Sequence, residues 1–271
     1  MEEYAAFRRR YGAWGLVAGA GEGLGAAWAA ALSRRGLNLL LIDRNPEPLS
    51  TLARGLASTH GNIVEPVVLD LGGDDLLERI GAAVDDKEVG LLVYNAATSV
   101  VGDYLDHELA THDRALAVNC SAPMRLAHLF GRCMRARGRG GIILMSSLSA
   151  FQGNPMLAQY AATKAYSLVL AEGLWQECRS SGIDVLACCP GATLTPGYLA
   201  TRAAPPRFSF PPEMSPDSVV EEALNALGRR PLLIPGWANR VVSFVMRRLL
   251  PRRATIEMMG RVGRTLRRQR G

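Results

Sequence analysis

The sequence predicts an α/β protein built on a doubly wound parallel sheet of about seven strands. Three observations carry this. Short apolar runs alternate with longer segments of helical period from Trp14 to Pro235. A glycine-rich turn joins the first run to an Ala-rich helix. Acids and amides stand directly after several of the runs, where an open parallel sheet keeps its ligands.

The chain has 271 residues, 48% of them hydrophobic and 21% charged, which is ordinary for one large domain with a sizeable core. The start, Met1-Glu2-Glu3-Tyr4, is acidic and lacks the apolar run of a signal peptide. No stretch of 18 uncharged apolar residues predicts a spanning helix. The five cysteines are odd in number and show no C-x-x-C spacing. They read as reduced, mostly buried small hydrophobes of a cytoplasmic protein. No metal site is predicted. The net charge is +6, and the ten Arg and one Glu from Arg240 onward contribute +9, leaving a mildly acidic body at −3.

Trp14–Ala18 is a short buried strand leading into Gly19-Ala20-Gly21-Glu22-Gly23-Leu24-Gly25, followed by a helix to about Arg35. A strand, a glycine turn and a helix N-terminus form a pyrophosphate site, because the backbone can approach closely and free N–H groups face the anion. A tight strand-to-helix connection is the plain alternative. Asn38–Ile42 is a second strand, ending at Asp43-Arg44. An acid there can accept hydrogen bonds from an adenosine ribose and repels a 2′-phosphate. Arg44 could hold that phosphate, so NAD is favoured over NADP without excluding it.

A helix near Glu47–Thr59 leads to a strand Val64–Leu69 ending at Asp70-Leu71. A helix Asp74–Val84 precedes a strand Val89–Tyr94, then Asn95-Ala96-Ala97. A long helical segment, roughly Leu109–Arg137, contains Asn119, whose plain reading is a helix irregularity or a core hydrogen bond. Ile142–Met145 is a buried strand ending at Ser146-Ser147. A loop Ala150–Gln159 leads to a helix running to about Ser180, and Asp184–Cys189 is a sixth strand before Pro190-Gly191-Ala192-Thr193-Leu194-Thr195. The proline-rich stretch 196–216 reads as a substrate lid or a disordered excursion. Ser215 caps a helix Pro216–Leu227 with Pro216 first, and Pro231–Pro235 is a short seventh strand.

On the helix after the loop, Tyr160 and Lys164 are one turn apart on one face. A nearby ammonium favours a phenolate. Of 31 basic residues only Lys87 and Lys164 are Lys, so a compact point charge stands where the chain otherwise uses Arg. For the spacing alone, an ordinary surface pair is the simpler reading. From Trp237 onward, Val241, Val242, Phe244, Val245, Leu249 and Leu250 interleave with arginines, and Ile256–Arg268 repeats the mix. This basic amphipathic extension, 237–271, suits packing on the sheet edge or another subunit, or an anionic membrane surface. Nucleic-acid binding is not predicted, because no aromatic platform accompanies the arginines.

Taken in order, these motifs resemble the short-chain dehydrogenases/reductases over roughly Trp14–Pro235, with a Rossmann-type fold in a catalytic domain 1–236. The C-terminus looks more like ketoacyl and hydroxysteroid reductase members. The resemblance implies a catalytic tetrad of Asn119, Ser147, Tyr160 and Lys164. Ser147 lies thirteen residues before Tyr160, as the family pattern requires. It implies that Tyr160 is the general acid or base, that Lys164 lowers its pKa and binds the nicotinamide ribose, that Ser147 donates to the substrate oxygen, and that Asn119 holds a water.

Implied cofactor contacts are Gly19, Gly21, Glu22, Gly23, Leu24 and Gly25 in the turn, and Asp43, Arg44, Asp70 and Leu71 beside the adenosine. Asn95, Ala96 and Ala97 follow the fourth strand; Tyr160, Lys164, Pro190, Gly191, Thr193 and Thr195 hold the nicotinamide end. Ala18 stands where the family usually has Thr, and Tyr94-Asn95-Ala96-Ala97 replaces Asn-Asn-Ala-Gly. Substrate contacts are expected at Ser147, Ser149, Gln152, Tyr160 and Tyr198. Phe151, Met156, Leu157 and Phe208 suggest an apolar carbonyl or alcohol, such as an acyl chain or a steroid. A homodimer or homotetramer is implied, with Trp175 a possible contact. A non-catalytic cofactor-binding scaffold is the alternative.

Overall fold

The computed structural model describes residues 2–201 and 210–268. Its elements in chain order are α1 (Glu2–Tyr11), β1 (Trp14–Ala18), α2 (Gly23–Arg34), β2 (Asn38–Asp43), α3 (Pro46–His60), β3 (Val64–Val68), α4 (Leu76–Val84) and β4 (Val89–Tyr94). Then come α5 (Leu109–Leu116), a π-turn (Ala117–Ser121), α6 (Ala122–Arg137), β5 (Gly140–Met145), a 3₁₀ turn (Leu148–Phe151), α7 (Ala158–Cys178) and β6 (Ile183–Cys188). The chain closes with α8 (Pro196–Thr201), α9 (Pro216–Ala226), β7 (Leu232–Leu233), α10 (Trp237–Phe244), a second π-turn (Val245–Leu249) and α11 (Arg252–Arg268).

The seven strands form one parallel sheet in the order β3-β2-β1-β4-β5-β6-β7. The order reverses between β1 and β4, so a crevice opens outside their carboxyl ends. Alternating residues serve opposite faces. Val17, Leu41, Val93 and Ile143 pack with Trp28 and Leu32 of α2 and Val220 of α9. Leu16, Leu40, Leu92 and Ile142 pack with Ile80 of α4, Phe130 of α6 and Leu168 of α7. Both faces are covered, which is why the central strands read as continuous apolar runs.

Several expectations change. The acidic N-terminus forms α1, held by Arg10 on Asp184 at 2.8 Å and by the Tyr11 hydroxyl donating to Asp184 at 2.8 Å. The stretch 196–216 begins with a helix, α8, because the Thr195 hydroxyl accepts the Tyr198 N–H at 3.2 Å; Phe208 lies outside the described residues. The long segment over Asn119 is interrupted by the π-turn. The Tyr94 hydroxyl donates to the Val118 carbonyl at 2.5 Å, giving a partner to a group inside that turn. Only Cys188 and Cys189 are buried; Cys120 and Cys178 are half-buried and Cys133 is exposed. Ser215 caps α9 as expected, accepting the Ser218 N–H at 3.2 Å.

The C-terminal segment packs back on the loop after the 3₁₀ turn. The Arg247 guanidinium lies 4.1 Å from the Phe151 ring centre. Ile256 of α11 faces Gly153. No described helix is long and apolar enough to cross a membrane.

Candidate active site

The glycine turn is shaped by close approach. Gly19 has φ 79°, and a Cβ there would lie 2.6 Å from the Ala96 backbone. A Cβ on Gly25 would overlap the Gly19 carbonyl. The turn is pinned from both neighbouring strands: Gly19 N–H donates to the Ile42 carbonyl at 2.8 Å, and the Asn95 carboxamide donates to the Gly19 carbonyl at 2.8 Å. Asn95 thus supports the turn from β4, whereas Ala18, at the end of β1, brings no hydroxyl to it. The Asp43 carboxylate accepts the Gly21 N–H at 2.9 Å and the Asn45 N–H at 3.1 Å. A Cβ on Gly21 would lie 3.0 Å from that carboxylate, so glycine lets the acid reach the turn.

These elements wall a cleft of about 310 Å³. Gly19, Glu22, Gly23 and Leu24 line its floor, and Asp43, Arg44, Asp70 and Leu71 its β2–β3 side. Asn95, Ala96, Ala97 and Thr195 line the other side. Gly21 and Gly25 shape the turn from behind. Gly191 packs against Asn239 of α10, and Thr193 is buried with its hydroxyl on the Gly191 carbonyl at 3.1 Å; both shape the loop from outside the cleft walls.

Two residues that the sequence does not single out belong here. Arg114 of α5 lines the cleft and binds Asp70. Burial alone would raise the Asp70 carboxyl; the Arg114 guanidinium and the Gly72 N–H outweigh it and hold the group below its ordinary value. Thr98 also lines the cleft and holds Asn119. In sequence, an Arg on a helix and a Thr in a loop carry no signal of either contact.

Ser147, Tyr160 and Lys164 lie beyond this cleft at the end of β5 and on α7. Lys164 is buried, and its Nζ donates to the Met145 carbonyl at 2.8 Å. The same nitrogen lies 5.6 Å from the Tyr160 ring centre. Burial pushes the Lys164 ammonium down to about 8. Burial also raises the Tyr160 phenol above its usual value, with the Ser147 hydroxyl acting the other way. Desolvation is the largest influence on the Tyr160 phenol, and the Lys164 cation lies by its ring. Pro190 accepts the Leu148 N–H at 3.0 Å, which locks the loop after β6 to the turn carrying Ser147.

Asn119 is spent on positioning. Its carboxamide accepts the Thr98 N–H at 2.8 Å and donates to the Thr98 carbonyl at 2.8 Å and to the Thr163 hydroxyl at 3.0 Å. It ties the loop after β4 to the helix that carries Tyr160 and Lys164. Ser149 donates its N–H to the Ser147 hydroxyl at 3.2 Å. Gln152 lines a separate apolar cavity of about 380 Å³ against α7 and α11, whose walls include neither Ser147 nor Tyr160. The Tyr198 hydroxyl donates to Glu213 at 2.8 Å, joining the two ends of the 196–216 stretch.

A glycine turn at a helix N-terminus, acids at the ends of neighbouring strands and a crevice at the switch point fit a dinucleotide. That combination, with a Tyr–Lys pair at its far end, defines a nicotinamide-dependent oxidoreductase. The comparisons agree. A family model described as short chain dehydrogenase matches residues 14–204, and the chain belongs to the short-chain dehydrogenase/reductase family. It is 32% identical to a 7beta-hydroxysteroid dehydrogenase of Clostridium sardiniense over 86% of this chain and 89% of that one. A solved structure from a study of 7beta-hydroxysteroid dehydrogenase stereoselectivity superposes with a TM-score of 0.86 at 28% identity, covering 93% of this chain and 98% of the other. A short-chain dehydrogenase from Sphingobium yanoikuyae in complex with NADPH gives a TM-score of 0.74 at 30% identity, covering 82% and 86%. The protein is an oxidoreductase acting on CH–OH groups and uses a nicotinamide dinucleotide.

Proposed function

We propose that the protein interconverts a secondary alcohol and a ketone on an apolar, steroid-like or acyl substrate, with Tyr160 as the proton-transfer group. The observation that carries this is the buried Lys164 ammonium, fixed on the Met145 carbonyl and 5.6 Å from the Tyr160 ring centre, two residues from Ser147 on the same strand end. When bound, the nicotinamide supplies or accepts the hydride. Tyr160 gives its phenolic proton to the substrate oxygen in reduction and takes it back in oxidation. Ser147 donates a hydrogen bond to the same oxygen, stabilising the charge that develops there. Lys164 holds positive charge beside the phenol and binds the nicotinamide ribose. Asn119 acts through its carboxamide as a positioning residue.

Gly19–Gly25, Asp43, Asp70, Asn95 and Thr195 hold the cofactor, with Pro190, Gly191 and Thr193 shaping the loop at its nicotinamide end. Asp43 favours NAD, since both its oxygens are fixed in the cleft where a 2′-phosphate would meet negative charge. Arg44, also in the cleft wall, is the residue through which NADP would be accommodated. The similarity to 7beta-hydroxysteroid dehydrogenases and the apolar Phe151, Met156 and Leu157 support a steroid-like substrate. Ser149 and Tyr198 remain candidate substrate contacts, and we place 1–236 as the catalytic unit of a cytoplasmic homodimer or homotetramer.

Tyr160→Phe tests the mechanism. It should abolish turnover of hydroxysteroids and long-chain ketones, followed at the nicotinamide absorbance band, while cofactor titration stays near wild type. Turnover close to wild type in that variant would sink the proposal.

A further inference from the structure

Helix α10 is built inside out. Its buried face carries Asn239 and Ser243, 2% and 6% exposed, beside the small Ala238, and the Asn239 Oδ1 and Ser243 Oγ find no hydrogen-bond partner among the described residues. Its solvent face carries Trp237, Val241 and Phe244, which are 66%, 48% and 59% exposed. These three recur at i, i+4 and i+7 and form one stripe. Phe210 extends the stripe, its ring centre 6.4 Å from that of Trp237, and exposed Leu249 continues beyond it. Ordinary amphipathic helices show the opposite arrangement, so this one presents its apolar side outward.

The stripe is edged by cation. Arg240, Arg247 and Arg248 line a pocket of about 270 Å³ with Ser243 and Phe244. Arg240 is shared with Glu222 at 3.1 Å, and Arg247 is positioned by the Phe151 ring. The π-turn Val245–Leu249 widens the helix where Arg247 and Arg248 stand. Three arginines therefore converge on one small cavity beside the apolar stripe.

We propose that this face docks on an anionic phospholipid surface, with Trp237, Val241 and Phe244 in the interfacial layer and Arg240, Arg247 and Arg248 taking headgroup phosphate. Guanidinium groups supply charge-assisted hydrogen bonds to phosphate oxygens. Tryptophan suits the boundary between headgroups and acyl chains. The +9 carried from Arg240 to the C-terminus is complementary to an anionic bilayer. A second copy of the chain is the weaker occupant. A two-fold contact sets a patch against itself, so the arginines edging the stripe on both copies would be gathered into one interface. The inference is independent of the substrate assigned above.

The test is co-sedimentation of the full-length protein with vesicles of phosphatidylcholine alone and of equal parts phosphatidylcholine and phosphatidylglycerol. Binding should appear with the anionic vesicles only and weaken as salt rises. Arg247→Gln with Arg248→Gln should lower partitioning about thirtyfold, at roughly fivefold per arginine near the surface. Trp237→Ser with Phe244→Ser should weaken it further, and Trp237→Phe should remove a blue shift in emission seen on binding. Thermal midpoint and cofactor titration report that each variant is folded.

Three outcomes would overturn the proposal. One is equal binding of wild type and arginine variants to the anionic vesicles. A second is a thermal shift by inorganic phosphate, lost in the arginine variants, without vesicle binding, which would make the pocket a free-anion site. The third is loss of an oligomer in sedimentation velocity on Trp237→Ser with Phe244→Ser, again without vesicle binding, which would make the stripe a subunit interface.

Discussion

Replacing Lys164 by Met keeps the length of the side chain and removes its charge. Burial pushes the Lys164 ammonium down to about 8, against 10.5 for an ordinary lysine. That displacement corresponds to about 3 kcal/mol between the two protonation states. The sign follows from proton counting. A base with a lowered native pKa binds fewer protons folded than unfolded between the two values, so stability rises with pH across that window and is flat below it. Wild type should therefore gain about 3 kcal/mol relative to Lys164→Met between pH ~8 and ~10.5.

Groups pushed the other way by burial, such as the Cys189 thiol at about 12 and the Tyr160 phenol, lose stability as pH rises, but they are present in both proteins. The difference between the two curves reports Lys164 together with its coupling to the Cys189 and Cys120 thiols. Denaturant titrations of both proteins without cofactor, at closely spaced pH values, measure it. Parallel curves across the window would refute the reasoning, since they would mean that Lys164 titrates as a solvated lysine.

Asp43→Ala should relax discrimination against NADPH in a binding titration, because it removes the carboxylate fixed on the Gly21 N–H at 2.9 Å. A wild-type protein that already prefers NADPH would overturn the role given to Asp43. Asn119→Ala should cost about 2–4 kcal/mol in denaturant unfolding, because it removes the partner of both backbone groups of Thr98 and one of the two hydrogen bonds of the Thr163 hydroxyl. It should also lower turnover, while Asn119→Asp retains part of the network through the Thr98 N–H; an unchanged midpoint in the alanine variant would contradict the tie between the β4 loop and α7.

The strands were legible because a parallel sheet covered on both faces needs uninterrupted apolar runs, and β1, β2, β4 and β6 carry them. The Gly19–Gly25 turn was legible because glycine tolerates backbone approach that other residues do not. The 3.6-residue period put Tyr160 and Lys164 on one face without further information. The N-terminal helix was missed because its stability depends on Asp184, a residue 174 positions away from Arg10. A helix irregularity or core hydrogen bond at Asn119 was legible, but its partners Tyr94 and Thr98 were not, because they come from another strand end. Arg114 on Asp70 was invisible for the same reason: nothing local distinguishes an arginine that clamps a carboxylate from one in water.

By itself the sequence determined the periodicities, the glycine turn and the spacing of Ser147, Tyr160 and Lys164, all of which are properties of neighbouring residues along the chain. Only the tertiary structure decided the electrostatics of the pair. The environment of Lys164 is set by β5 and α7 together, and desolvation there outweighs the attraction that the spacing alone suggested. It also decided which way α10 faces. An amphipathic pattern names two faces, and only packing against Gly191 and Met214 shows that the polar face is the one turned inward.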